Sequence, residues 1–196
     1  MLPNWFDPTY LLAGDSGQQR AYHVLQELRI LEVLKEFTPV LTGTFPLQLQ
    51  VENSDLDIIC EMHDVEQFTK TLETEFGQMP DIILREVEVS GQPTVIANFT
   101  YQNMPIEIFG QAVPVTKQNA YRHMVIEARL LELAKNTLEL GNQAWSAIRQ
   151  LKQDGLKTEP AFAHYFGLPC INPYEELLLL EPLSGEQLHD TIATQI

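Results

Sequence analysis

The chain has 196 residues, of which 44% are hydrophobic and 20% are charged. These proportions favour a folded protein with a real core over a disordered chain. The formal net charge is −15, from 27 acidic and 12 basic residues. Nucleic acids and anionic membranes are bound through cationic side chains, so this charge argues against a general DNA-binding or membrane-surface protein.

We expect a cytoplasmic protein. No run of about 18 apolar residues occurs, which argues against a membrane span, and the first residues lack the basic and apolar segments of a secretory signal. The two cysteines, Cys60 and Cys170, lie far apart and in no Cys/His metal spacing. We therefore expect two reduced thiols with no assigned role.

A helix is the first predicted element, over residues 15–37. Apolar residues recur there at intervals of three, a spacing typical of a helix: Tyr22, Leu25, Leu28, Leu31 and Leu34. Asp15 or Ser16 is the expected N-cap, and Pro39 marks the end. The apolar segment 40–42 then predicts a strand that stops at a Gly43-Thr44 turn.

Further strands and helices are predicted along the rest of the chain. The strand segments are 56–60, 82–89, 94–101 and 104–109, the middle two joined in a hairpin at Ser90-Gly91-Gln92. The helical segments are one that opens at Asp64, with Gln67 completing a capping box, and then 117–135, 143–153, 159–165 and 174–180. The predicted fold class is α+β, with a short mixed sheet and an N-terminal helix in residues 1–110 and a helical region in residues 111–196.

Asp55 and Asp57 are the first candidate site residues. Side chains alternate along a strand, so the two acids are expected to project from one face while Leu56 and Ile58 face a core. Two carboxylates aimed at one place repel each other, and a divalent cation is a reason to hold them there; Mg²⁺ takes one or two carboxylates together with phosphates and waters. Taken alone, however, the segment 53–55 also makes a good turn, so a structural role stays open.

Glu107 is the third candidate. In the segment 105–109, Ile106 and Ile108 point to one face of the predicted strand and Glu107 to the other. Packing explains an acid in the middle of an apolar strand poorly, because an unpaired buried charge is costly. If this strand lies beside the strand of Asp57, the acids converge on one site.

These features resemble the signature of the DNA polymerase beta-type nucleotidyltransferase superfamily. The matching features are Gly43-Thr44, a gap of ten residues, Asp55-Leu56-Asp57-Ile58 and a later strand acid, over about residues 40–110. Other segments are similar to an uncharacterised bacterial family related to that superfamily: Ile106-Glu-Ile-Phe-Gly-Gln111, Ala120-Tyr-Arg-His-Met124 and Lys157-Thr-Glu-Pro-Ala-Phe-Ala163. The narrower family covers most of the chain and carries no established reaction.

The superfamily resemblance implies a fold and a set of roles. The fold would be a nucleotidyltransferase-like core, and the cofactor Mg²⁺, with Mn²⁺ as the alternative. Asp55 and Asp57 would hold two metal ions and a nucleoside triphosphate, and Glu107 would bind the ion that activates an acceptor hydroxyl. Gly43 and Thr44 would touch the β- and γ-phosphates.

Two departures from the superfamily pattern bear on activity. Phe45 follows Gly43-Thr44, where small members often carry a basic residue, and the third acid is Glu instead of the usual Asp. Lys117 or Arg122, in the predicted helix after Glu107, could supply the missing charge to the triphosphate. Alternatively, these cations form a solvated face with local pairs such as His123 with Glu127.

Three functions therefore stay open. The leading one is transfer of a nucleoside monophosphate from an NTP to a small-molecule or protein acceptor; a tRNA end is disfavoured by the charge. The second is a module that binds a nucleotide or metal without turnover. The third is a non-catalytic interaction protein. The sequence leaves the acceptor, the base preference and the oligomeric state undetermined.

Overall fold

The computed structural model describes residues 2–136 and 143–194, and these divide into two units. The first comprises Pro3–Gln48 and Asn53–Tyr121 and is called the sheet unit here. The second comprises Leu2, Leu49–Glu52 and the described residues from Arg122 onward and is called the helical unit.

A five-stranded mixed sheet forms the centre of the sheet unit. Its strands are β1 (Val40–Thr42), β2 (Leu56–Glu61), β3 (Ile83–Val89), β4 (Gln92–Tyr101) and β5 (Met104–Gln111). They are ordered β1-β2-β5-β4-β3 across the sheet. Strands β2 and β5 run parallel, and the other neighbouring pairs are antiparallel. The predicted α+β class with a short mixed sheet is confirmed.

The predicted hairpin joins β3 and β4 through two residues. Ser90 has φ 52° and Gly91 has φ 74°, so both lie in the left-handed region. A two-residue turn with this geometry matches the twist of the flanking strands. The hairpin is therefore confirmed, with β4 beginning at Gln92, two residues before its predicted start.

The long N-terminal helix predicted over residues 15–37 is broken in the middle. After a short 3₁₀ helix (Pro8–Ala13) the chain forms α1 (Ser16–Glu27) and a single turn, α2 (Ile30–Val33). Arg29 between them has φ 50°, in the left-handed region. A strict spacing of three residues drifts by about 60° per step around a helix of 3.6 residues per turn. The apolar stripe could therefore not keep one face of a straight helix against the core.

The core lies on one face of the sheet, under α3 (Val65–Phe76). This helix begins as predicted, because the Asp64 side chain accepts a hydrogen bond from the Gln67 backbone N–H at 2.9 Å. Phe68 packs edge-on against Phe37 with ring centroids 4.7 Å apart. A Cβ atom on Gly110 of β5 would lie only 2.3 Å from the Phe68 ring, so the sheet admits this helix because residue 110 has no side chain.

The same core face carries one residue from each of four neighbouring strands. Leu41 pairs with Ile58, Ile58 with Ile108, and Ile108 with Ala97, and all four are at most 1% exposed. Alternate residues must project from the opposite face of the sheet. The candidate site is built on that opposite face.

Five α-helices follow β5 in the described part of the chain. They are α4 (Asn119–Asn136), α5 (Gln143–Gln153), α6 (Thr158–Tyr165), α7 (Pro173–Leu178) and α8 (Gly185–Ala193). The predicted helical C-terminal half is confirmed. No helix within residues 2–136 and 143–194 combines the length and the apolar character needed to cross a bilayer.

Candidate functional site

Asp57 and Glu107 are direct neighbours across the parallel strands β2 and β5. The register pairs Asp57 with Glu107, between the pairs Leu56–Ile106 and Ile58–Ile108. Neighbouring strands lie about 4.8 Å apart, and opposite residues project from the same face. The apolar neighbours are buried in the core, whereas both acids are half-buried. The condition set by the sequence, that the strand of Glu107 lies beside the strand of Asp57, is therefore met in the structure.

Asp55 is placed differently. β2 begins at Leu56, so Asp55 precedes the strand and follows Asn53, whose φ of 70° marks a turn. Asp55 therefore lies one residue outside the ladder that holds Asp57, and the expectation that both acids project from one face stays a prediction. In the described part of the chain, no three His, Cys, Asp or Glu side chains are close enough together to hold a metal ion. The metal-binding role of Asp55 stays a prediction.

Gly43 allows the Asp57 carboxylate to lie over the turn after β1. Thr42, the last residue of β1, is the register partner of Asp57, and Gly43 follows with φ 72°. A Cβ atom at Gly43 would lie 2.1 Å from Asp57 Oδ2, much closer than non-bonded atoms can approach. Residue 43 must therefore be glycine both for its backbone conformation and for the position of Asp57.

Thr44 holds a buried hydroxyl. Its Oγ1 has no hydrogen-bond partner among the described residues, although the side chain is only 9% exposed. Leaving a buried hydroxyl without a partner costs on the order of 1–3 kcal/mol. A phosphate oxygen at the Gly43-Thr44 turn would accept the missing hydrogen bond.

The Glu107 carboxylate has a partner that sequence reasoning missed. Asn98 on β4 is the register partner of Glu107, and its Nδ2 donates a hydrogen bond to Glu107 Oε2 at 3.0 Å. Arg85 on β3 in turn donates from Nη2 to Asn98 Oδ1 at 2.6 Å. The available signal was a polar residue between the apolar residues Ala97 and Phe99 of β4, but its partner depends on the strand order.

Lys117 and Arg122 differ in their surroundings. Lys117 ends a short 3₁₀ helix in the sheet unit and its side chain is exposed. Arg122 belongs to the helical unit, where its Nη2 lies 2.5 Å and its Nε 3.0 Å from Glu181 Oε2. Arg122 is therefore already engaged by a carboxylate within its own unit. Both roles stay predictions.

A buried carboxyl group lies in the helical unit. Glu127 of α4 is 2% exposed, and burial, with the negative charge of Glu159 adding to it, raises its pKa well above the ordinary value. Lys152 opposes that shift only in part. The suggested local pair of His123 with Glu127 is not formed; His123 instead contacts the Tyr174 carbonyl at 2.9 Å and Glu159 Oε1 at 3.5 Å.

The residues of the sheet face fit a hard cation that arrives with a nucleotide. An all-protein cage is not required for Mg²⁺, which takes one or two carboxylates plus substrate phosphates and waters. Asp57 and Glu107 supply two carboxylates on one face, and the unpartnered Thr44 hydroxyl lies after the adjoining strand. The donor set is composed only of oxygen, which Mg²⁺ and Mn²⁺ prefer.

Comparison with known proteins supports the fold. The model of a family described as a domain of unknown function, DUF4269, matches residues 23–180. No curated protein matches the chain. Among solved structures, Cid1 poly(U) polymerase with MgGTP bound aligns with a TM-score of 0.50 at 14% identity, over 88% of this chain and 54% of that one.

A second Cid1 structure, described for its RNA terminal uridylyl transferase activity, aligns with a TM-score of 0.51 at 14% identity, over 88% of this chain and 53% of that one. The chain spans about half the length of the structures it matches. At this identity the likeness shows the fold alone, and the predicted nucleotidyltransferase-like fold is confirmed.

Proposed function

We propose that this protein, which belongs to the DUF4269 family, is a metal-dependent nucleotidyltransferase that moves a nucleoside monophosphate from Mg²⁺–NTP to a hydroxyl or phosphate acceptor. One observation carries the proposal: Asp57 and Glu107 lie side by side on one face of the sheet, on the parallel strands β2 and β5, and Asp57 adjoins the turn that contains Gly43 and Thr44. The nucleotidyltransferase-like fold supports it.

Each residue of the sheet face has a proposed task. Asp57, held over Gly43, would bind the cation that accompanies the triphosphate, with Asp55 at the entrance to the strand as a further ligand. The Thr44 hydroxyl would donate to a phosphate oxygen. Glu107 would hold the cation on the acceptor side. Bound Mg²⁺ would neutralise charge on the triphosphate and favour loss of the acceptor's proton.

The chain's own contribution to the reaction would be mostly positioning. The acceptor oxygen attacks the α-phosphorus, the bond from that phosphorus to the bridging oxygen breaks, and pyrophosphate leaves with its electron pair. The acceptor's proton passes to a carboxylate or to water. Holding the reacting atoms in line and placing fixed charges around them are the effects that lower such a barrier.

The acceptor is proposed to be a small molecule or a protein side chain. RNA is the acceptor named for Cid1, and that activity belongs to Cid1. A net charge of −15 repels a polyanionic acceptor, because binding one requires cations that neutralise its phosphates. A protein of this charge is better suited to a compact acceptor than to a polyanion.

A second candidate function is a module that binds a nucleotide without turnover. Its specific support is the shortage of phosphate-binding cations: Phe45 follows Thr44, and Arg122 is engaged by Glu181. This reading predicts the same metal-dependent nucleotide binding and no release of pyrophosphate with any acceptor.

Incubation with α-labelled NTPs, Mg²⁺ and a panel of acceptors distinguishes these functions. The panel should contain small hydroxylated and phosphorylated molecules, proteins and short RNA. Transfer of label to an acceptor with release of pyrophosphate, absent from Asp57→Asn, supports the transferase. Glu61→Gln on the same strand is the matched control and should retain full transfer. Binding without transfer to any acceptor favours the second function.

A further inference from the structure

Arg85, Asn98 and Glu107 form a chain of hydrogen bonds across three neighbouring strands, called the polar relay here. Asn98 Nδ2 donates to Glu107 Oε2 at 3.0 Å, and Arg85 Nη2 donates to Asn98 Oδ1 at 2.6 Å. The order β5-β4-β3 places one member on each strand. The amide of Asn98 thus stands between a guanidinium and a carboxylate.

The polar relay fixes one oxygen of Glu107 and leaves the other for a ligand. No further hydrogen bond reaches that carboxylate from residues 2–136 and 143–194. An amide N–H orients a carboxylate without neutralising it, whereas a cation in direct contact would compete with a metal ion for its charge. Arg85 polarises the amide from the far side, which strengthens the bond that Asn98 donates.

The length of the Glu107 side chain explains why such support is needed. Glutamate has one more rotatable bond than aspartate, the acid usual at this position in the superfamily. Ordering a longer side chain costs more conformational entropy. A hydrogen bond from the neighbouring strand restrains that extra freedom before any ligand arrives, and outer partners of this kind tune the affinity of metal sites.

We propose that Asn98 is a positioning residue that orients Glu107 for its metal-binding task, with Arg85 holding Asn98 in turn. The proposal rests on the proposed function, because it assigns to Glu107 the cation on the acceptor side. A merely structural polar pair between β4 and β5 would instead contribute to folding and leave the relative affinity of two ions unchanged.

The proposal is tested by titrating Mn²⁺ into the full chain in the presence of a non-hydrolysable NTP analogue. Electron paramagnetic resonance measures the free Mn²⁺ at each step. Wild type should bind a tighter ion that accompanies the nucleotide and a weaker ion that depends on Glu107. Asn98→Ala should weaken the second ion roughly 10- to 100-fold and change the first less than about threefold. The melting temperature should stay within about 2 °C of wild type.

Two further variants keep the result interpretable. Arg85→Met lies on the exposed edge strand and should weaken the same ion by a smaller factor, even if Asn98→Ala fails to fold. Thr100→Val, two residues along β4 and exposed, is the matched control and should change neither ion.

Each outcome decides between the positioning role and the function on which it rests. Equal weakening of both ions, or of neither, in Asn98→Ala and Arg85→Met overturns the positioning role, while the tighter ion bound by wild type still upholds the nucleotide site. Wild type that binds no Mn²⁺ with the nucleotide overturns the proposed function and, with it, the role of Asn98.

Discussion

Asp57 lies so close above Gly43 that a Cβ atom on residue 43 would come within 2.1 Å of Asp57 Oδ2. The turn after β1 and the carboxylate on β2 are therefore coupled: neither can change without moving the other. This relationship ties the Gly-Thr part of the sequence pattern to its acidic part. Substitutions at Gly43 should therefore affect the site as substitutions at Asp57 do.

Gly43→Ala should lower both the stability and the metal-dependent nucleotide affinity. The added methyl group must displace the Asp57 carboxylate, and the left-handed backbone at φ 72° penalises any side chain by about 1–2 kcal/mol. Chemical denaturation and nucleotide titration measure the two losses.

Gly91→Ala is the matched control for that experiment. Gly91 has φ 74°, and a Cβ atom there would meet nothing within 4 Å. The Gly91→Ala variant should therefore lose stability only through its left-handed backbone and should bind nucleotide with the affinity of wild type. Equal nucleotide affinity in the two variants would contradict the coupling of Gly43 to Asp57.

Thr44→Val should affect the free and the nucleotide-bound protein in different ways. Valine has nearly the same shape and removes a buried hydroxyl that has no partner among the described residues, so the free energy of unfolding should stay equal or rise by up to about 1 kcal/mol. Nucleotide affinity should fall by roughly tenfold, the value of one hydrogen bond to a charged group. An unstable variant with unchanged affinity would show that the hydroxyl serves the fold instead.

Glu127→Gln should flatten the dependence of stability on pH. The pKa of Glu127 is raised in the folded protein, mainly by burial, so above the ordinary carboxyl pKa of about 4.3 the folded state holds a proton that the unfolded state has lost. Below that pKa the protonated Glu127 makes its whole contribution to the free energy of unfolding. As the pH rises above it, this contribution falls by up to about 1.4 kcal/mol per pH unit.

Urea denaturation of both proteins between pH 4 and pH 8 measures this effect. The neighbouring groups His123, Glu159, Lys152 and Tyr174 are present in both proteins, so their own titration largely cancels in the difference. The advantage of Glu127→Gln over wild type should grow with pH. Parallel curves would mean that Glu127 titrates normally.

Arg122→Met and Lys117→Met should separate the two predicted phosphate contacts. Arg122 is paired with Glu181, and a partly exposed pair of this kind contributes about 1 kcal/mol or less, so its loss should lower stability slightly and leave nucleotide affinity unchanged. Lys117→Met should weaken nucleotide binding by about fivefold or less with no loss of stability. The reverse pattern would return the phosphate contact to Arg122.

The sequence predicted the strands and their acids because those signals are local. An acid between Ile106 and Ile108 shows which face it occupies, and Asp64 with Gln67 shows where a helix begins. Which strand lies beside which is not local. The pairing of Glu107 with Asp57 was predicted on the condition that their strands are neighbours. Only the resemblance to the superfamily pointed to that arrangement.

The features that sequence reasoning missed depend on contacts between distant segments. Asn98 and Arg85 become partners only through the register of β3 and β4, and neither stands in a recognisable motif. The break at Arg29 follows from how two short helices fit one core. α6 begins at Thr158, one residue before the predicted segment, and the Thr158 hydroxyl accepts a hydrogen bond from Lys152 Nζ at 2.5 Å.

Calorimetric titration of Mg²⁺ with each of the four NTPs tests the central claim most directly. Wild type should bind at least one NTP in a metal-dependent way, Asp57→Asn should lose that binding, and Glu61→Gln should retain it. Folded wild type that binds no NTP in the presence of Mg²⁺, or Asp57→Asn that binds as tightly as wild type, would contradict the assignment of this sheet face as the nucleotide site.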